Sequence, residues 1–157
     1  MENSFQRSAG AKASAFGTEY TILIPPALTE GRQSVYTSIC PPDAGPPRHV
    51  HANEDETFYV VSGTVEFWLE GESQTASSGE AVFIPRGREH TFHVRSPEPA
   101  NLLTVLTPGG FEEFFFAVER QGLSIPGDMP RIAQLAEQFG LRFTGPPLYP
   151  AGGEKPA

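Results

Sequence analysis

The sequence predicts an all-β domain, and three observations carry that expectation. Glycine and proline number sixteen each in 157 residues, so turns are frequent. Apolar residues fall in short runs with β-branched and aromatic members instead of long helical stripes. Ser62-Gly63 sits between two such runs, as the loop of an antiparallel hairpin does. An apolar content of 38 %, with twelve phenylalanines, fills a core, and a chain near this length buries about two-thirds of its unfolded surface.

In chain order the strand-like runs are Tyr20 to Ile24, Ser34 to Cys40, Glu56 to Val61, Thr64 to Leu69, Ala81 to Ile84, His90 to Val94 and Leu102 to Thr107. After Pro108-Gly109-Gly110 the period changes, because Phe111, Phe114, Phe115 and Val118 recur at helical spacing. A second helix is expected from about Pro130 to Phe139, with Asp128 as cap, Pro130 in the first turn and Gly140 as terminator. Both helices are expected to cover the outside or the bottom of a barrel and not to line a site. Residues 1–16 and 145–157 are rich in Ser, Ala, Gly and Pro, which predicts flexible tails around a barrel with C-terminal helices over residues 17–144.

Charge and cysteine content exclude several function classes. Eleven Lys plus Arg against nineteen Asp plus Glu leave a net charge of −8, which repels polyanions, so nucleic acid is not an expected partner. Cys40 is the one cysteine, so no intrachain disulfide and no Cys-rich zinc site exist, which suits a reducing cytoplasm. No segment approaches the roughly twenty apolar residues of a membrane span, and the first sixteen residues hold no apolar run, so a non-exported protein without membrane association is expected.

The chemistry concentrates in RHVHANEDETFYVVSG. His49 and His51 stand two apart on an extended segment and project to the same face. Glu56 shares parity with Phe58 and Val60, so its carboxylate points inward with them. A buried carboxylate without a cation is costly, whereas a divalent metal shared with two neutral imidazoles removes that penalty. His90, after the turn Pro85-Arg86-Gly87, is the expected fourth ligand. His93, three residues on, is expected to face the other side as an exposed or outer-core residue. Arg48, Arg86 and Arg88 flank these segments and read as solvated surface charge, and Phe58, Val60, Phe92 and Val94 read as barrel filling.

These residues carry a resemblance to the cupin family. The first family motif, HxH, four residues, Glu, six residues, Gly, reads His49, His51, Glu56 and Gly63; the second, Gly, five residues, Pro, one, Gly, two, His, reads Gly79, Pro85, Gly87 and His90. Two positions depart from it: the leading Gly falls at Asp43, with Gly45 nearby, and the closing Asn falls at Val94. Neither is a ligand position. The resemblance implies a double-stranded β-helix, or jelly-roll, barrel over roughly Tyr20 to Thr107, with a metal site of three histidines and one glutamate. TPGGFEEFF, the later helix and GPPL are similar to small quercetin 2,3-dioxygenase-like members.

The resulting expectation is one divalent transition metal, with iron, manganese or nickel favoured and copper, cobalt or zinc also compatible with the donors. The leading reading is a dioxygenase that takes a small aromatic or enolisable substrate and dioxygen, with Glu56 as ligand, as catalytic proton acceptor, or as both. Two alternatives stay open: a non-catalytic small-ligand-binding barrel, and a non-oxidative metal-dependent isomerase, lyase or decarboxylase. The resemblance also implies a homodimer, with an edge strand near Tyr20 to Ile24 needing cover.

Overall fold

A computed structural model describes residues 10–149, and within them eleven strands and two helices form. In chain order they are β1 (Ala11–Ala15), β2 (Thr18–Ile24), β3 (Ser34–Cys40), β4 (Arg48–His51), β5 (Asp55–Ser62), β6 (Thr64–Leu69), β7 (Glu72–Ser77), β8 (Ala81–Ile84), β9 (His90–Val94), β10 (Ala100–Thr107), α1 (Glu113–Gln121), α2 (Met129–Glu137) and β11 (Leu141–Gly145). Two antiparallel sheets face each other, ordered β1-β2-β3-β10-β5-β8 and β11-β4-β9-β6-β7. The expected all-β jelly-roll barrel with C-terminal helices is the architecture observed.

Alternation along each strand decides what enters the barrel. On β10, Ala100, Leu102, Thr104 and Leu106 are fully buried, and on β5 Glu56, Phe58 and Val60 face the same way. Pairing of Leu102 with Val60, Thr104 with Phe58 and Leu106 with Glu56 stacks these residues in layers. The deepest layer adds Val65 and Val94 from the facing sheet and belongs to one apolar cluster; a second cluster sits where α1, α2 and β1 meet Tyr36 and Leu106. At the hairpin between β5 and β6, Gly63 has φ +92°, and a Cβ there would lie 2.9 Å from the Cα of Ala100. Only glycine suits that turn. Asp43, at the family's leading glycine position, has φ 63°, a left-handed conformation that Asp tolerates better than most side chains.

Several expectations change. Residues 11–15 are not a tail: they pair with β2 in register, Ala13 and Ala15 tuck inward, and α1 packs on this strand. Strand β2 is therefore flanked on both sides and is no edge. Residues 145–149 are likewise docked, since the Pro146 carbonyl accepts from Arg48 N–H at 3.3 Å and the Tyr149 hydroxyl bonds both Glu66 oxygens at 3.1 and 3.0 Å. The rest of both expected tails, residues 1–9 and 150–157, lies outside the described residues. Asp128 precedes α2 but turns its carboxylate back to the Ser124 N–H at 3.0 Å instead of capping the helix.

Candidate metal centre

The four ligand candidates come from three strands that the two sheets bring face to face. β4 carries His49 and His51, β5 carries Glu56 and β9 carries His90, with His49 and His90 directly opposite across the β4–β9 pair. All four are buried, and one donor atom from each lies within 4.8 Å of the others. Ring centroids of His49 and His90 are 4.4 Å apart and those of His49 and His51 are 5.2 Å apart. Glu56 Oε2 lies 2.7 Å from His90 Nε2, and its Oε1 lies 3.6 Å from His51 Nε2. The structure thus gathers all four residues singled out by the sequence.

Outer contacts set the ring orientations. His49 Nδ1–H donates to the Pro47 carbonyl at 2.8 Å, and His90 Nδ1–H donates to the Arg88 carbonyl at 2.9 Å. Both therefore turn Nε2 to the centre, the tautomer that a metal-binding imidazole needs. Burial pulls the His49 pKa down to about 3, with the neighbouring His90 and His51 adding to the effect. For His90 burial also lowers the pKa, but the Glu56 hydrogen bond and charge outweigh it and leave the group raised. Glu56 shows the converse: burial pushes up, yet the His51 charge and the His90 hydrogen bond bring it down to about 2. In the metal-free chain, wherever pH lies below the raised His90 value, this is a buried imidazolium–carboxylate pair. The chemistry of the donor set, three imidazoles and one carboxylate in a dry pocket, fits a divalent transition metal.

The centre opens into a cavity of about 570 Å³, the size range of small-molecule sites. Aromatic rings dominate its wall: Tyr20 stacks on Phe115 at 3.7 Å and 10°, Tyr36 meets Phe115 edge-on, and Phe111 sits against His51 with centroids 4.3 Å apart. Phe58 and Phe92 also line it, whereas Val60 and Val94 lie deeper and do not. Burial pushes the Tyr20 and Tyr36 hydroxyls well above their ordinary pKa, so they stay protonated. Among the described residues no lysine or arginine lines the cavity. Arg86 pairs with Asp55 at 2.9 Å, Arg88 with Glu70 at 2.7 Å, and Arg48 lies over Trp68. Cys40 is buried, and burial raises its thiol pKa, so it is neither thiolate ligand nor nucleophile at neutral pH.

One expectation about the helices fails here. Phe114 and Phe115 of α1, with Phe111 before it, line the cavity, because the open end of a barrel needs an apolar cover and the helix following β10 lies across it. His93 is outside the four-residue cluster and packs against the Tyr149 ring, 4.7 Å between centroids, but it is buried and contributes to the cavity wall instead of being exposed. Three residues were missed by sequence reasoning: Tyr20 and Tyr36, which line the cavity from β2 and β3, and Glu54, for which no periodic signal exists.

Comparison with known proteins agrees with this geometry. Residues 36–106 match the cupin domain family. Quercetin 2,3-dioxygenase from Aspergillus japonicus is 33 % identical over 73 residues, 43 % of this chain and 21 % of that protein. The enzyme of the same description from Bacillus subtilis is 30 % identical over 87 residues, 55 % of this chain and 26 % of that protein. The chain thus spans about a fifth to a quarter of the length of these relatives. KdgF from Halomonas sp. shares the fold at a TM-score of 0.58 and 21 % identity, covering 66 % of this chain and 90 % of that one. With both histidine motifs in one jelly-roll barrel, residues 36–106 carry the pattern of a cupin domain.

Proposed function

We propose that the protein is a metal-dependent dioxygenase acting on a small aromatic or enolisable substrate, with His49, His51, Glu56 and His90 as ligands and Glu56 as catalytic base. The observation that carries this reading is the cluster of three imidazoles and one carboxylate opening into an aromatic cavity with no lysine or arginine among its described lining residues. Iron, manganese and nickel are the favoured ions, with copper, cobalt and zinc also matching the donors. Bound there, such an ion supplies Lewis-acid polarisation of a substrate oxygen and a site for dioxygen.

The chain's own residues do the rest. Away from the centre, no lysine or arginine among the described lining residues would pair a carboxylate or phosphate group, whereas a neutral planar ring system is accommodated between Tyr20, Tyr36 and the α1 phenylalanines. The protonated Tyr20 and Tyr36 hydroxyls are donors for substrate oxygens. Glu56 is ionised throughout the neutral range, so its carboxylate is available to accept a substrate hydroxyl proton. Phe111, Phe114 and Phe115 keep water from the centre. The quercetin 2,3-dioxygenases to which the chain is similar support the same reaction class.

Elemental analysis of protein purified without chelators, beside a His49→Ala/His51→Ala variant, tests the reading first. A transition metal near one per chain, lost in the variant, is expected, followed by oxygen uptake with flavonols or diketones. Zinc without oxygen uptake would move the assignment to non-oxidative chemistry, and no metal even after reconstitution would sink it. No helix among the described residues is long and apolar enough to cross a membrane, and the reading places the protein in the cytoplasm. It is also read as a homodimer. Exposed Ile39, Tyr59, Val61 and Phe83 share the outer face of the β3-β10-β5-β8 strip. A chain of net charge −8 meets its own copy best on such an uncharged patch. A monomeric mass in solution would overturn this.

A further inference from the structure

The three imidazoles of the centre are anchored unequally behind their Nδ1 atoms. His49 and His90 donate to backbone carbonyls, Pro47 at 2.8 Å and Arg88 at 2.9 Å. His51 has a carboxylate there instead, Glu54 Oε2 at 3.4 Å from its Nδ1. The side chains of this pair are 3 % and 7 % exposed, and neither of the two facing atoms meets hydrogen-bond geometry with any described residue, each other included. On the other side of the ring, His51 Nε2 faces Glu56 Oε1 at 3.6 Å. His51 is thus bracketed by a carboxylate at each nitrogen, which neither other histidine is.

A buried carboxylate oxygen that faces one imidazole nitrogen and makes no hydrogen bond is an expensive arrangement for a turn between two strands. It gains a purpose if the imidazole it touches must be a strong donor at its far nitrogen. A carboxylate accepting the Nδ1 proton fixes the tautomer, orients the ring and makes Nε2 more basic, and a backbone carbonyl does this less strongly because it carries no net charge. Resting on the metal-centre reading above, we propose that Glu54 is a positioning residue of the centre. Its carboxylate accepts from His51 Nδ1–H and makes His51 the most strongly donating of the three imidazoles.

The closing experiment has two arms. In metal-free wild-type protein, ¹⁵N-edited NMR of the imidazoles should show His51 as the Nδ1–H tautomer, with its Nδ1 proton furthest downfield of the three and shifted upfield in Glu54→Gln. Titration of metal-free protein with Co²⁺ should give about 10–100-fold weaker binding in Glu54→Gln. Glu54→Leu should be weaker still and Glu54→Asp should recover part of the loss, while the melting temperature of the metal-free variants does not fall in step. His51 as the Nε2–H tautomer would overturn the proposal, as would Co²⁺ affinities of Glu54→Gln and Glu54→Leu within about twofold of wild type. If a variant fails to fold, the wild-type NMR arm still decides. If wild type binds no Co²⁺, the metal reading fails, and the tautomer arm separately shows whether Glu54 holds His51.

Discussion

The two ends of the barrel are built from the same strands and use burial to opposite ends. On β5 the inward residues run Glu56, Phe58, Val60, and on β9 they run His90, Phe92, Val94. Glu56 and His90 are 3 % and 2 % exposed, and Val60 and Val94 are 0 % exposed, so accessibility does not separate the two ends. Chemistry does. Each wholly buried valine or leucine at the deep end contributes roughly 1.5–3 kcal/mol to folding, whereas the polar end costs stability unless its groups are paired. Two register steps, about 13 Å of strand, separate the part of the chain that stabilises the fold from the part that this stability supports. Buried residues in one barrel can therefore answer to different selection, and substitutions tell them apart.

The largest expected effect lies at the deep end. Leu102→Ala leaves a cavity in the cluster with Val60 and Val65 and should lower unfolding free energy by about 2–5 kcal/mol. Calorimetry would record it, while Co²⁺ binding at 25 °C keeps its stoichiometry. A simultaneous loss of metal binding would mean the two ends are coupled.

The next effect lies at the polar end and depends on pH. Metal binding needs neutral His90, whose metal-free pKa lies above the ordinary 6.5. Affinity should therefore fall about tenfold per pH unit once pH drops below that raised value, and about one proton should leave per ion bound in that lower range. His49, at about 3, competes only far lower. Isothermal titration in buffers of different ionisation enthalpy counts the proton, and release of none would contradict the imidazolium–carboxylate pair. The same sign governs the metal-free fold. Because the folded pKa of His90 is raised, its pairing with Glu56 stabilises in full below the ordinary histidine value and is lost as pH rises through the folded one.

The smallest effect is on the outside. Phe83 is 60 % exposed at the sheet edge, so Phe83→Ser should change the stability of a single copy by less than about 0.5 kcal/mol. Analytical ultracentrifugation of the same variant sharpens the comparison, because a weakened dimer would give this exposed residue a role that burial alone hides.

Much of this was legible in the sequence, for reasons that are local. Ser34–Cys40, Thr64–Leu69, Ala81–Ile84 and His90–Val94 form strands with the ends their composition suggests. The ligand candidates stood out because an HxH step on an extended segment puts both rings on one face. What stayed hidden depends on partners distant in sequence. β7 carries Glu72, Ser73, Gln74, Thr75 and Ser77, with only Ala76 buried, and exists because β6 offers it a register. β1 is alanine, lysine and serine, weak strand formers that pairing with β2 overrides. Glu54 follows His51 by three residues in a turn, and only the folded turn brings its carboxylate to that ring.

The pairing of β4 has a consequence for how the protein is made. This strand, which holds both His49 and His51, touches β9 at the single pair His49 with His90, but is matched with β11 at four positions, Leu141 with His51 among them. β11 lies about fifty residues after His90 in the chain. Chains are synthesised from the N-terminus and domains begin to fold as they emerge, so a nascent chain displays all four donors well before it has the strand that braces two of them. The centre is therefore a late product of biosynthesis. A ribosome-bound chain arrested before Leu141 would lack the strand that braces His49 and His51, so any ion taken up by this centre would be chosen after β11 docks.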